Sequence, residues 1–385
     1  MKVAYAYEFD AADPMVQSGR PASILAQLQR LGIEVSTVFP LDRNAQFLFA
    51  PKAAWHRLRG RVYRPDREPR YLRSLARQVQ TRVRGLCPDV VFAPGSHSVA
   101  RLEVDRPIVF CADATFANVL DTYDSFSQCA PEFIAQGHAQ ERAALGRCAA
   151  AIFPSEWAAS SAVNFYGADP ARVHVVPFGA NVKAPDTAAV LQWIDARRLN
   201  PLRILFVGRD WARKGADLVL ETCALLHASG QQIHLDLVGI DRPPVPLPPW
   251  ATNHGLLDKR DPMQKRRLEE LLRHSHFFFV PSQAENYGMA FCEAAAYGLP
   301  SLTTDAGGIP TIVRHGITGY TLSPTAPPYE WAATLSAAAM DRDAYLAMAH
   351  ATHQNFCTKL NWSAFGQKLE HIIRHATTST PRHPD

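Results

Sequence analysis

Phe277-Phe278-Phe279-Val280-Pro281-Ser282-Gln283-Ala284-Glu285-Asn286-Tyr287-Gly288-Met289-Ala290-Phe291-Cys292-Glu293-Ala294-Ala295-Ala296-Tyr297-Gly298-Leu299-Pro300 reads as a buried strand that empties into a glycine-containing turn and restarts as a helix. We expect the strand over Phe277–Val280 and the helix over Ala290–Tyr297. Such a step leaves free backbone N–H groups, and the positive end of a helix dipole, at the carboxyl edge of a parallel sheet, a place that suits a diphosphate. Glu285 sits at the mouth of the turn, and Glu293 lies about two turns into the helix. Each carboxylate can accept a pair of hydroxyl hydrogen bonds, the way proteins hold sugars and riboses.

Outward from that segment, short apolar strands alternate with longer helical patterns along the whole chain, which specifies an α/β fold. Lys2–Ala6, a helix over Ala22–Leu31 and a strand over Glu34–Phe39 form a βαβ unit; Asp89–Ala93, Ile108–Ala112, Ala151–Pro154 and Arg172–Pro177 extend its sheet. A short helix over Asp186–Arg198 precedes a second series: Leu202–Val207, helix Ala216–Ser229, strand His234–Val238, helix Pro262–Arg273, then the opening segment and strand Ser301–Thr304. We expect an N-terminal domain over 1–183, a linker over 184–201, a C-terminal domain over 202–360, and the tail 361–385 packing back on the first domain. Asp241–Trp250 carries five prolines and is expected to lack regular structure.

With 385 residues the chain exceeds a single ordinary core, and 47% hydrophobic with 20% charged residues describes a globular protein. No apolar stretch reaches the ~18 residues of a membrane span, and Met1–Tyr5 runs directly into a strand, so a cytoplasmic location is expected. The seven cysteines are scattered and read as reduced core residues; the fifteen histidines are dispersed, and no metal is called for. Net charge is +4, yet Arg57–Arg84 holds ten arginines against only Asp66 and Glu68. That asymmetry suggests an anionic partner, an acidic membrane face or a charged acceptor, with a solvated helix face as the plain alternative. Sparse aromatic interleaving argues against nucleic acid.

The segment Glu285–Pro300 resembles the GT-B glycosyltransferases of family 4, marked by two glutamates separated by seven residues in E-x-F/Y-G-x-x-x-x-E-A-x-A-x-G-x-P. The resemblance implies two Rossmann-like domains facing a central cleft, and retaining, metal-independent transfer of a hexose from a nucleotide-diphosphate sugar (UDP-sugar or GDP-mannose type). It implies that Glu285 meets the donor sugar, that Asn286, Tyr287, Gly288 and Met289 line sugar and phosphate, and that Glu293 holds the ribose. Phe206-Val207-Gly208-Arg209-Asp210-Trp211-Ala212-Arg213-Lys214-Gly215 places two cations beyond a strand, where a guanidinium fork and a compact ammonium can clamp a diphosphate. The family pattern F-V-G-R-x-x-x-x-K-G assigns that clamp to Arg209 and Lys214, which resemblance makes catalytic together with Glu285; Arg213 reads as a surface cation.

By the same resemblance Gly255–Lys259, with Leu257, lies beside the base. Gly307-Gly308-Ile309-Pro310 matches a family loop, although Thr311 stands where a glutamate is common. In the first half, Ser18-Gly19-Arg20-Pro21 occupies the place of a glycine-rich phosphate loop, which assigns Gly19 and Arg20 to the donor. Asp113 is a catalytic candidate near the transferred sugar, against a helix-capping role. Phe153–Trp157 and Val176–Asn181 also match, the latter expected to line the cleft. Asp341-Arg342-Asp343 is taken as a helix cap rather than a metal handle. An epimerase, a phosphorylase or a nucleotide-sugar-binding protein without transferase activity remain rivals on this fold.

Overall fold

The computed structural model describes residues 1–120 and 122–379. Two separate parallel sheets carry the chain. The first joins β1 (Lys2–Ala6), β2 (Glu34–Val38), β3 (Val90–Ala93), β4 (Ile108–Cys111), β5 (Ala150–Phe153) and β6 (Val173–Val175) in the order β2-β1-β3-β4-β5-β6. The second joins β7 (Leu202–Val207), β8 (Ile233–Val238), β9 (Ala251–Asn253), β10 (Phe277–Phe279), β11 (Ser301–Thr304) and β12 (Gly319–Leu322) in the order β12-β11-β10-β7-β8-β9. The α/β reading with two doubly wound halves is therefore what the chain adopts.

The strands form where they do because their side chains are apolar on both faces. Val90–Ala93, Ile108–Cys111 and Ala150–Phe153 are buried at every position, the pattern of strands covered by helices above and below. β7 and β8 run in continuous register from Leu202 opposite Ile233 to Val207 opposite Val238. In each sheet the winding reverses once, between β1 and β3 and between β7 and β10, and the loops leaving two such strands part to open a crevice at their carboxyl ends.

One compact unit comprises Met1–Phe178 and the C-terminal segment beginning at Trp362; the other is Gly179–Asn361. The tail helix Trp362–Ser379 lies against helix Arg20–Arg30 and against β3, β4 and β5. Phe365, Leu369 and Ile373 are fully buried there, and Trp362 and Phe365 stack near Phe178, with ring centroids 5.8 and 5.6 Å away. Residues 380–385 of the expected tail fall outside the described residues.

The segment expected as a linker, 184–201, belongs to the second unit instead. Its helix Thr187–Asp195, capped by Asp186, buries Val190 and Ile194 and packs on helix Arg342–Thr358. Arg197 follows, buried, donating to the carbonyls of Gly298 (2.5 Å) and Tyr297 (2.8 Å). A guanidinium spent on two interior carbonyls fixes this stretch to its own unit. The proline-rich 241–250 run contains no helix or strand, and Asp341 caps helix Arg342–Thr358 by accepting from the Ala344 N–H at 2.9 Å, both as read from sequence.

Candidate functional site

At the reversal in the second sheet, β10 lies beside β7, with Phe277 opposite Ile204 and Phe278 opposite Leu205. The loops that leave them are bolted together. The Gln283 N–H donates to the Arg213 carbonyl at 2.9 Å, and the Arg213 guanidinium donates back to the Ala284 carbonyl at 3.0 Å while pairing with Asp210 at 3.3 Å. Arg213, read from sequence as a surface cation, thus shapes the loop that presents Glu285. A third loop joins from β11, whose Gly308 N–H donates to the Glu285 carbonyl at 3.2 Å.

Within this frame Lys214 hydrogen-bonds the Glu285 carboxylate, and each side chain is 14% exposed. The Lys214 stem crosses Gly208 so closely that a Cβ at 208 would stand 2.9 Å from Lys214 Cγ. Gly288, at φ 96°, turns the chain into helix Met289–Ala296, a backbone conformation that side-chain-bearing residues rarely adopt. The free N–H groups of that first turn therefore open beside Glu285. Glu293, 7% exposed on the same helix, accepts a hydrogen bond from Lys259 Nζ at 2.5 Å. Lys259 arrives on the loop after β9, next to Leu257 and Asp258. Hydrogen bonds from Arg260 hold Asp258 down to about 2, with Arg209 a smaller contributor from across the loop. Arg209 itself is exposed and makes no hydrogen bond or ion pair among the described residues.

Glu285, Lys214, Gly208, Gly288, Met289, Glu293, Leu257 and Arg209, all singled out from sequence, are thus gathered by one sheet edge. Two carboxylates, each neutralised by a lysine, offer acceptors for hydroxyl groups, and Arg209 and the helix terminus offer donors for phosphate oxygens. Tyr287 is buried, its hydroxyl accepting from the Cys292 thiol at 3.5 Å, so its side chain packs inside the unit. Sequence reasoning missed Lys259 and Arg213 as partners, since each pairing spans a long interval, 34 residues for Lys259–Glu293 and 71 for Arg213–Ala284.

The first unit corrects several expectations. Arg20, assigned to donor phosphate, is 3% exposed and donates to the carbonyls of Cys111 (3.1 Å) and Pro94 (3.2 Å) and to Gln17. It ties together the carboxyl ends of β3 and β4, a positioning task performed from a buried place. Gly19, at φ 79°, starts helix Arg20–Arg30, and Gln17 and Ser18 before it also take positive φ. Asp113 does not cap a helix: Thr115 caps Phe116–Val119 in a reciprocal box with Asn118. Asp113 instead stands in the electrostatic field of Arg20, Tyr7 and Glu141.

Near it the crevice between β1 and β3 holds a buried polar group that the sequence did not disclose. Glu8 is 3.7 Å from His97, and burial pushes its carboxyl up. Arg67 donates to Gln140 at 3.1 Å; Gln140 and Ser96 are 3.1 Å apart; Ser96 donates to Glu141 at 3.0 Å. One carboxylate oxygen each of Glu8 and Glu141, and the Nε of Arg67, find no partner among the described residues. The position of Glu8 directly after β1 was its only sequence signal.

Arg57–Arg84 also divides. Arg67 is buried, its guanidinium 4.3 Å from the Phe116 ring, and the partly exposed Arg64 lies 4.0 Å over Phe126, so Arg67 is withdrawn from the solvent-facing run. Among the described residues no group of three His, Cys, Asp or Glu side chains could hold a metal, although His371 and His375 stand four apart on the tail helix. No helix is long and apolar enough to cross a membrane.

Two family descriptions match side by side: Glycosyltransferase Family 4 over residues 22–184 and Glycosyl transferases group 1 over 191–354. The chain belongs to glycosyltransferase family 4. The curated relatives that this family-4 chain matches include the D-inositol 3-phosphate glycosyltransferases of Gordonia bronchialis, 33% identical over 44% of this chain and 40% of that protein, and of Thermobispora bispora, 30% identical over 56% and 53%. The chain spans about half the length of these relatives. Among solved structures, sucrose-phosphate synthase of Thermosynechococcus elongatus aligns over 98% of this chain and 100% of its own, with TM-score 0.70 and 16% identity. HepE of Anabaena, solved in complex with UDP-glucose, aligns over 97% and 100%, with TM-score 0.62 and 15% identity. Both likenesses establish the GT-B fold of this family-4 member.

Proposed function

We propose that the protein transfers a sugar from a nucleoside-diphosphate sugar to a hydroxyl of an acceptor, with retention at the anomeric carbon and without a metal ion. The observation that carries this reading is the sheet edge where Lys214–Glu285 and Lys259–Glu293 stand with an uncommitted Arg209 and a helix N-terminus. Glu285 orients hydroxyls of the donor sugar, Glu293 takes the ribose, and Arg209, Lys214 and the helix N–H groups receive the diphosphate. As the bond from the anomeric carbon to the phosphate oxygen breaks, charge accumulates on the leaving diphosphate where these donors already point, and preorganised donors of this kind are the usual source of such catalysis. The acceptor oxygen bonds to the same face of the sugar, and its proton passes to the departing phosphate.

A UDP-glucose complex of a structural neighbour and relatives named for D-inositol 3-phosphate support assaying UDP-sugars first as donors and phosphorylated polyols first as acceptors. The test is nucleoside diphosphate release from UDP- and GDP-sugars with and without D-inositol 3-phosphate and related polyols, and the anomeric configuration of any product read by NMR. Slow hydrolysis stimulated by an acceptor, unaffected by a chelator, is expected. Absence of both binding and diphosphate release across the panel overturns the reading; chelator loss restored by magnesium or manganese overturns its metal-free part.

A further inference from the structure

The helix Ala50–Leu58 and the 3-10 segment Asn44–Phe49 before it are laid on the first unit the wrong way round for a protein surface. Their inward side sets polar groups beside the small Ala45 and Ala53: His56 is 5% exposed and stacks on Tyr63 at 4.7 Å, and Lys52 pairs with Glu68 at 2.7 Å and with Glu132. The outward side carries the apolar ones. Leu58 is 88% exposed, Leu48 72%, Phe47 66% and Trp55 46%, with Pro51 and Ala54 exposed between them. Water gains nothing from such an arrangement, and a cluster of large apolar side chains held outward marks a surface that meets something apolar.

Charge says what that partner is. No acidic residue occurs between Asp42 and Asp66, and Arg57, Arg59 and Arg61 are exposed and pair with no carboxylate among the described residues. The Arg59 guanidinium lies 3.9 Å from the centre of the Trp55 ring, an aromatic and a cation stacked at the same level. Apolar side chains intermixed with unpaired arginines, and a tryptophan between them, complement a surface that is oily below and anionic above. Downstream, Arg70, Arg73, Arg77 and Arg84 line helix Pro69–Leu86 at helical spacing with no large apolar side chain exposed among them, the pattern of a solvated face.

We propose that Asn44–Arg61 docks this protein on an anionic lipid bilayer, with Phe47, Leu48, Trp55 and Leu58 entering the headgroup boundary and Arg57, Arg59 and Arg61 meeting lipid phosphates. The attachment is peripheral and salt-sensitive, and it requires both the apolar and the cationic sets.

Co-sedimentation with vesicles of equimolar phosphatidylglycerol and phosphatidylcholine tests it, with pure phosphatidylcholine vesicles as control. The wild type should pellet with the anionic vesicles at low salt and not with the neutral ones. R57S/R59S/R61S should lose on the order of a hundredfold in affinity, at ~1 kcal/mol per arginine near the surface. W55S/L58S should lose roughly tenfold, as expected for partly buried apolar side chains. R70S/R73S/R77S should bind as the wild type does. All of these changes fall on exposed positions, and thermal melts establish that the variants fold. Brominated phosphatidylglycerol should quench tryptophan emission in the wild type and not in W55F, which still pellets. Failure of the wild type to pellet overturns the proposal. So does W55S/L58S binding unchanged while both arginine triples lose equally, which is unspecific charge adsorption. Dissociation of a wild-type oligomer by W55S/L58S, without vesicle binding, overturns it in favour of a second copy as the occupant.

Discussion

In the proposed reading, single side chains decide how the second unit handles a donor. Arg209→Ala and Lys214→Ala should each weaken nucleoside diphosphate binding by roughly 1.5–3 kcal/mol, the scale of a charged hydrogen bond. Lys214 is the more severe case, because its loss also strands the largely buried Glu285 carboxylate. Glu285→Gln should lower turnover more than nucleotide affinity, and Glu293→Gln the reverse, since the proposed reading sets the first at the donor sugar and the second at the ribose. Calorimetry with UDP and GDP beside steady-state rates reads both, and reversed effects mean the donor lies the other way round. In the first unit, burial outweighs Arg67 and Ser96 and pushes Glu141 from 4.5 up to about 7. The folded state then holds a proton that the unfolded state releases, so stability is fully present below pH 4.5 and falls as pH rises through 7. The loss approaches about 3 kcal/mol for a shift of that size. Glu141→Gln should flatten the decline in melting temperature between pH 5 and pH 8 measured by thermal denaturation; a decline as steep as wild type's assigns it to another group.

At the scale of elements, the crevice depends on glycines that let loops touch. Gly208 has no room for a methyl, since Lys214 Cγ would lie 2.9 Å away and the Phe206 ring 3.1 Å. Gly208→Ala should displace Lys214 from Glu285, costing roughly 1–3 kcal/mol in stability as overpacking does, together with about tenfold in nucleotide affinity. Melts and titration calorimetry check this, and unchanged affinity shows that something else positions Lys214. The same scale explains what was legible in sequence. β3, β4, β5 and β10 announce themselves because buried parallel strands are uninterrupted apolar runs. β9 is only Ala-Thr-Asn, and β12 opens on a glycine; each is a strand because its neighbour offers a ladder, which no local pattern records. Glu285, Glu293, Arg209 and Lys214 were singled out because their two strand–turn–helix segments resemble the family patterns E-x-F/Y-G-x-x-x-x-E and F-V-G-R-x-x-x-x-K-G. The burial of Arg20 and Arg67 was not legible, because it depends on groups far along the chain, the Cys111 carbonyl 91 positions from Arg20 and the Phe116 ring 49 positions from Arg67.

At the scale of the molecule, the chain crosses from one unit to the other and then returns, so its last helix stabilises its first sheet. Leu369 is fully buried on that helix, and Leu369→Ala should cost 2–5 kcal/mol, the usual range for a large-to-small change in a core. The loss falls on the unit that contains β1–β6. Arg209, Lys214 and Glu293 all belong to the other unit, so a nucleoside diphosphate bound at the proposed site, at a hundred times its dissociation constant, should stabilise that unit by about 2.7 kcal/mol. Scanning calorimetry should therefore show two transitions, one lowered by Leu369→Ala and indifferent to UDP or GDP, the other raised by the nucleotide and indifferent to the substitution. A single transition moved by both changes would mean that the two sheets unfold as one cooperative body, and the donor site would then draw on the packing of the tail helix.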